Sequence, residues 1–259
     1  VFQKQIKLEE AIEAYNKALA IKPDHADAYF NMGTALKDQG KFEEAIAFYN
    51  KALAIKPDYA AAYYNMGTIL EVQNRMDEAI EAYNKALAIK LDYAEAHFHI
   101  GVVFQKQNRQ EEAIEAYNKA LAIKPDYADA LYNMGIAFQK LDKQEEAIEA
   151  YNKALAIKPN YAAAYNNMGN ALQEQNRLEE AIALYQKAIS IKPDYADAYY
   201  NMGNALKDQE KLEEAIEVFN KILTIMPDHE AARVGNLYQS ARICNWDNIA
   251  KEVNLIPEL

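Results

Sequence analysis

The feature that most constrains this chain is a self-similarity at a spacing of 34 residues. It is marked by Met32-Gly33, Met66-Gly67, Met134-Gly135, Met168-Gly169 and Met202-Gly203, with Ile100-Gly101 in the remaining place. Full blocks start at Ala26, Ala60, Ala94, Ala128, Ala162 and Ala196, so six repeats occupy residues 26–229. Residues 1–25 read as a partial repeat, mainly its second helix, and residues 230–259 as degenerate capping helices with a possible junction to a further domain. A unit this short cannot bury an apolar face alone. Stacking neighbours must supply the core, which restricts the fold to an array.

The periodicity inside a block gives two helices. Tyr29, Met32, Gly33 and Leu36 fall on one helical stripe, and Ala45, Ile46, Tyr49, Ala52 and Leu53 on a second. Gly33 and Ala45 lack bulk where the helices must approach, and Tyr49 is expected to fill the space between neighbouring repeats. Between the two helices stand Gly40, Asn74, Asn108, Asp142 and Asn176, types that tolerate a left-handed backbone; Glu210 is the exception. Between repeats, Pro57 stops one helix and Asp58 is placed to cap the next. The pairs Asp24 with Asp27, Asp92 with Glu95, Asp126 with Asp129 and Asp194 with Asp197 have the spacing of capping boxes. Only Ser190, Ser240 and three threonines supply hydroxyls beyond tyrosine, so the usual nucleophiles and loop residues are scarce. The Glu-Glu pairs Glu43-Glu44, Glu111-Glu112 and Glu213-Glu214 open second helices, where they complement the helix dipole.

An aromatic residue followed by Gly33, Ala45, Tyr49, Ala52 and Pro57 within a 34-residue period resembles the tetratricopeptide repeat (TPR) pattern. The likeness covers residues 1 to about 228, and its slots recur as Ala79, Tyr83, Ala86; Ala113, Tyr117, Ala120; Ala147, Tyr151, Ala154; and Ala181, Tyr185, Ala188. His97 and Leu131 replace a first-helix aromatic, Leu91 replaces a proline, and Phe219 with Ile222 modify the last repeat. The resemblance implies an all-α, right-handed superhelical solenoid of antiparallel helix pairs, with first helices lining a concave groove. It also implies a protein-binding scaffold, with catalytic residues, metal ligands and cofactors all absent.

In that family the positions three and two before the repeat glycine, one after, and four or five after face the groove. The first of these reads Phe30, Tyr64, Phe98, Tyr132, Asn166 and Tyr200, and the second Asn31, Asn65, His99, Asn133, Asn167 and Asn201. The third reads Thr34, Thr68, Val102, Ile136, Asn170 and Asn204. A ladder of carboxamides can both donate to and accept from the amides of an extended peptide, and aromatics beside it add contact area at low entropic cost. The expected partner is therefore a protein or peptide segment. The carboxylate clamp of chaperone-adaptor TPR domains is missing, and Lys37 and Lys207 read as solvated charges.

A formal net charge of -11 argues against nucleic acid, and no apolar run is long enough for membrane insertion. His97 and His99 point to different helix faces, so no metal set emerges. The lone Cys244 allows no internal disulfide and suits a cytoplasmic setting. The opening Val1-Phe2-Gln3-Lys4 reads as a cut in a longer frame. Two alternatives stay open. One is homo-oligomerisation through the N-terminal repeat face, where residues 8–22 lack most of a partner helix. The other rests on Ala241-Arg242-Ile243-Cys244-Asn245-Trp246-Asp247, which resembles the segment after the TPR array in O-linked N-acetylglucosamine transferase and SPINDLY-like proteins. That likeness implies an acceptor-binding arm for a glycosyltransferase lying downstream. The period is expected to break at Cys244, with a short helix following over Asn248 to Asn254.

Overall fold

A computed structural model describes residues 2–245, which form fourteen helices and no strand. They divide into two compact units between Pro125 and Asp126. The first holds α1 (Phe2–Ile21) and the pairs α2 (Ala26–Asp38) with α3 (Phe42–Ile55), α4 (Ala60–Val72) with α5 (Met76–Ile89), and α6 (Ala94–Lys106) with α7 (Gln110–Ile123). The second holds α8 (Ala128–Lys140) with α9 (Gln144–Ile157), α10 (Ala162–Glu174) with α11 (Leu178–Ile191), α12 (Ala196–Asp208) with α13 (Leu212–Ile225), and then α14 (Glu230–Arg242). The chain is an all-α repeat solenoid.

Each first helix ends in the same hydrogen-bonded turn. The Lys41 N–H donates to the Leu36 carbonyl and the Gly40 N–H to the Lys37 carbonyl, both at 2.9 Å, which is the Schellman arrangement. It requires a left-handed residue, and Gly40 has φ 77° while Asn74, Asn108, Asp142, Asn176 and Glu210 have φ 59–61°. Glu210 thus adopts the turn despite its type. The chain enters this register late: Ile6 stands 34 residues before Gly40, a β-branched residue is ill suited to φ > 0, and α1 runs through it unbroken. It also leaves late. Cys244 has φ 55° and Asn245 N–H donates to Ser240 at 2.8 Å, so α14 and its turn keep the period that was expected to break there. Trp246, Asp247 and the helix expected over Asn248 to Asn254 lie outside the described residues.

The capping expectation is corrected. The cap of each following helix is the residue after the aspartate, as at Tyr59, Tyr93, Tyr127 and Tyr195, and these tyrosines make no side-chain cap bond. Among the described residues only the cap side chains of His25 and His229 accept from a helix N–H, from Ala28 at 3.3 Å and Ala232 at 3.1 Å. Packing overrides the local preference. The Tyr59 ring stacks on Phe30 at 4.7 Å, Lys56 covers it at 4.6 Å, and its hydroxyl donates to Asp27 at 2.9 Å. Asp27 thereby serves the next repeat rather than its own helix start.

The core is a column of aromatic rings against glycines. Tyr49, Tyr83, Tyr117, Tyr151 and Tyr185 are fully buried, and Phe219 nearly so. A Cβ on Gly67, Gly101 or Gly135 would lie 2.5 Å from the tyrosine of the same repeat, far inside contact distance. The ring therefore fills the space within its helix pair, where the sequence had placed it between repeats. Ala45, Ala52 and their counterparts, also fully buried, let the second helix close on this ring. First helices additionally touch each other, α2 on α4, α4 on α6, α8 on α10 and α10 on α12, and among the described residues no two second helices pack on each other to that extent. The first-helix layer is consequently the inner, concave face of each unit. α1 joins this scheme by packing Ile12 and Tyr15 on the α2–α4 core, while Ile21 stays exposed.

Two substitutions test this account. Gly101→Ala is expected to destabilise the protein by about 1–3 kcal/mol through overpacking on Tyr117, against a helix-propensity gain of about 1 kcal/mol. Leu91→Pro is expected to stabilise by about 0.4–1 kcal/mol. Leu91 is 81% exposed, and Lys90 before it, at φ -122° and ψ 94°, already has the extended backbone that proline demands of its predecessor. Urea unfolding of both variants measures the two signs.

Candidate functional site

The aromatics predicted for the groove stand on the inner helices, half-buried and wedged between repeats. In the first unit Phe30 lies 5.7 Å from Tyr49, Tyr64 lies 5.9 Å from Tyr83 and 4.9 Å from Tyr93, and Phe98 lies 5.9 Å from Tyr117. In the second, Tyr132 lies 5.9 Å from Tyr151 and 4.7 Å from Tyr161, and Tyr200 lies 5.5 Å from His229. Phe30, Tyr64, Tyr132 and Tyr200 each meet the cap residue of the next repeat. Asn166, the departure from this series, is buried.

The carboxamides are not idle. Asn65 accepts from Lys37 Nζ at 3.3 Å, and Asn133 donates to the Asp129 carbonyl of its own helix at 2.8 Å. In the second unit they join into a string: Asn167 donates to the Tyr132 hydroxyl at 3.1 Å, Asn166 to Asn167 at 3.2 Å, and Asn201 to Asn166 at 3.0 Å. Asn31 is exposed, and Asn170 and Asn204 are half-buried. Each amide has four bonding sites, so one or two internal bonds hold its orientation and leave capacity for a guest.

The position four after the glycine carries more than the sequence reading assigned to it. There the Tyr83 hydroxyl donates to Glu71 at 3.0 Å, Tyr117 to Gln105 at 2.8 Å and Tyr151 to Gln139 at 2.5 Å, while the single Tyr185 proton is shared between Gln173 at 2.9 Å and Asn170 at 2.8 Å. The available signal was the co-occurrence of an acceptor at this position with tyrosine at the core slot.

The first unit differs electrostatically from the second. Glu71 bonds His99 Nδ1 at 2.9 Å and Lys106 Nζ at 2.6 Å. His99, placed by sequence in the amide ladder, is thus the partner of a carboxylate. Burial alone would push the Glu71 carboxyl up, but the bonds and charges of His99 and Lys106 outweigh it and hold it at about 2, below the usual 4.5. Burial, and after it the same carboxylate, raise the Tyr83 phenol well above its ordinary range. His97 sits elsewhere, in a cleft of about 250 Å³ lined by Ile100, Phe104 and Ala116, and a cleft of about 370 Å³ recurs one repeat earlier around Tyr63 and Met66. Among the described residues no group of three His, Cys, Asp or Glu side chains is placed to hold a metal ion. No helix among them is long and apolar enough to cross a membrane.

A depressed carboxylate contributes stability above its unfolded value, and the contribution is lost as pH falls towards its folded one. Glu71→Gln is therefore expected to lower stability at pH 7 by roughly 2–3 kcal/mol, with the difference from wild type fading between about pH 4.5 and pH 2. Melting curves of both chains across that range give the comparison.

The TPR repeat model matches residues 4–40, 33–71, 72–108, 106–142, 140–176 and 169–209, and the tetratricopeptide repeat model matches residues 196–229. Among solved structures, YrrB, described as a TPR protein with an unusual peptide-binding site, is 28% identical over 71% of this chain and 95% of its own, with a TM-score of 0.61. The MamA protein is also 28% identical, over 66% of this chain and 93% of its own, with a TM-score of 0.59. The C-terminal part of a TPR repeat-containing protein from Cytophaga hutchinsonii shares the fold at 20% identity, over 88% and 94% of the two chains, with a TM-score of 0.73. A search of curated proteins returned no significant match. Inner faces of this kind, on repeats that match the family models almost end to end, place the chain in the tetratricopeptide repeat family of protein-interaction scaffolds.

Proposed function

We propose that this chain binds an extended segment of a protein partner along the inner faces of its repeats and works by binding rather than by catalysis. The observation that carries this is the hydrogen-bonded string from Tyr132 through Asn167 and Asn166 to Asn201, which spans three successive inner helices. Buried or half-buried amides that are oriented but not saturated lose little entropy on meeting a backbone, and they read amides rather than guest side chains. The half-buried Tyr132 and Tyr200 beside them supply apolar area. The likeness to YrrB, whose description names a peptide-binding site, supports the same reading. In the first unit Phe30, Tyr64 and Phe98 play the aromatic part, and Glu71 with His99 and Lys106 adds a bonded carboxylate cluster beside them.

The test is a triple variant within the second unit, Asn133, Asn167 and Asn201 each to Ala, against a 12-residue peptide isolated on the wild-type chain from a random display library. Affinity is expected to fall at least tenfold, while helical content and melting change little. Unchanged affinity in isothermal titration would discard the amide ladder, and failure of the wild-type chain to capture any extended peptide would discard the proposal itself.

A further inference from the structure

Two positions in the repeat vary together, the one four residues after the glycine and the core aromatic sixteen after it. Where the first is Glu71, Gln105, Gln139 or Gln173, the second is a tyrosine whose hydroxyl bonds it. Where the first is lysine there is no acceptor, and the partner changes. In the first full repeat Lys37 stands there, and the Tyr49 hydroxyl lies 3.3 Å from that of Thr34 instead. In the sixth Lys207 stands there, and the slot holds Phe219, which has no hydroxyl to satisfy. An unsatisfied buried phenol would cost about 1–3 kcal/mol, so the compensation has a physical cause.

Core packing does not by itself require the hydroxyl. Phe219 is as buried as the tyrosines and closes on Gly203 as they close on their own glycines. What the hydroxyl adds is a hold on a half-buried inner-face side chain. Its direction follows from Glu71, a carboxylate that can only accept, so the phenol in this register donates. A glutamine held in the same way turns its carbonyl oxygen inward and its amide nitrogen towards the groove. Gln173 fits this, since its Nε2 reaches out to Asp208 at 3.2 Å.

We infer that the buried hydroxyls of Tyr83, Tyr117, Tyr151 and Tyr185 are positioning groups of the inner face. At Gln139, held by Tyr151 at 2.5 Å, the hold presents amide N–H donors to the backbone carbonyls of a bound segment. A net charge of -11 favours neutral carbonyls over carboxylates as the acceptors. The inference rests on the peptide-binding reading, and the test separates the two.

The full chain is used throughout, with the display-selected 12-residue peptide, blocked at both ends, as the probe. Tyr151→Phe keeps the ring and the Phe219 precedent. It is expected to leave helical content intact and to weaken binding about 3- to 10-fold, the worth of one neutral hydrogen bond. Gln139→Ala should weaken binding to a similar degree, and the double variant should be no weaker than Gln139→Ala alone. Without any peptide, NMR of the Gln139 side-chain amide should give a resolved, shifted Nε2 proton pair in wild type that moves to random-coil positions in Tyr151→Phe. Additive losses in the double variant, wild-type affinity in Tyr151→Phe, or a random-coil Gln139 amide in the wild-type chain would each overturn the inference. If the wild-type chain captures no peptide, the binding proposal fails while the NMR comparison still decides the positioning role.

Discussion

Everything in this structure depends on one contact, a buried aromatic ring lying where a Cβ would be on the repeat glycine. The clearance is so small that Gly67, Gly101 and Gly135 admit no side chain, and the rings opposite them are fully buried. Close approach of the first helix to the second fixes the geometry of the pair. The pair geometry in turn brings successive first helices into contact and makes theirs the inner layer of each unit. A repeat protein multiplies such a contact, because each copy interacts only with its neighbours and stability accumulates by repetition.

The same ring links core to surface. Its body supplies packing, and its hydroxyl emerges beside the inner face at the position that holds Glu71, Gln105, Gln139 or Gln173. A residue that looks purely structural in the sequence is thereby tied to the polar pattern a partner would meet. The two units then diverge. The first surrounds Glu71 with His99 and Lys106, while the second replaces an aromatic by Asn166 and carries a neutral amide string.

Much of the fold was legible in the residues. Helix pairs, left-handed turns at Gly40 and Asn74, and the small residues at the helix contact all follow from local propensity and period, because each is decided within one 34-residue block. The helix starts depart from local propensity for a physical reason. Asp58 has the side chain of a cap, but stacking of Tyr59 on Phe30 across repeats sets the helix boundary one residue later. In the tail, α14 carries Asn236, Gln239 and Ser240 at buried positions, which conceals a period that the backbone turn at Cys244 keeps.

For the candidate site, sequence supplied the residue types on the inner helices but not their partners. Asn65 facing Lys37, Asn201 facing Asn166 and His99 facing Glu71 are pairs 28 or 35 residues apart, one step along the array. Such a contact depends on the offset between stacked repeats, which no single block encodes. The sequence by itself determined that this is a TPR array with an amide- and aromatic-rich face. Only the tertiary structure decided which of those amides are held, by what, and in which direction, because side-chain hydrogen bonds between repeats are a property of the stacking and not of the period.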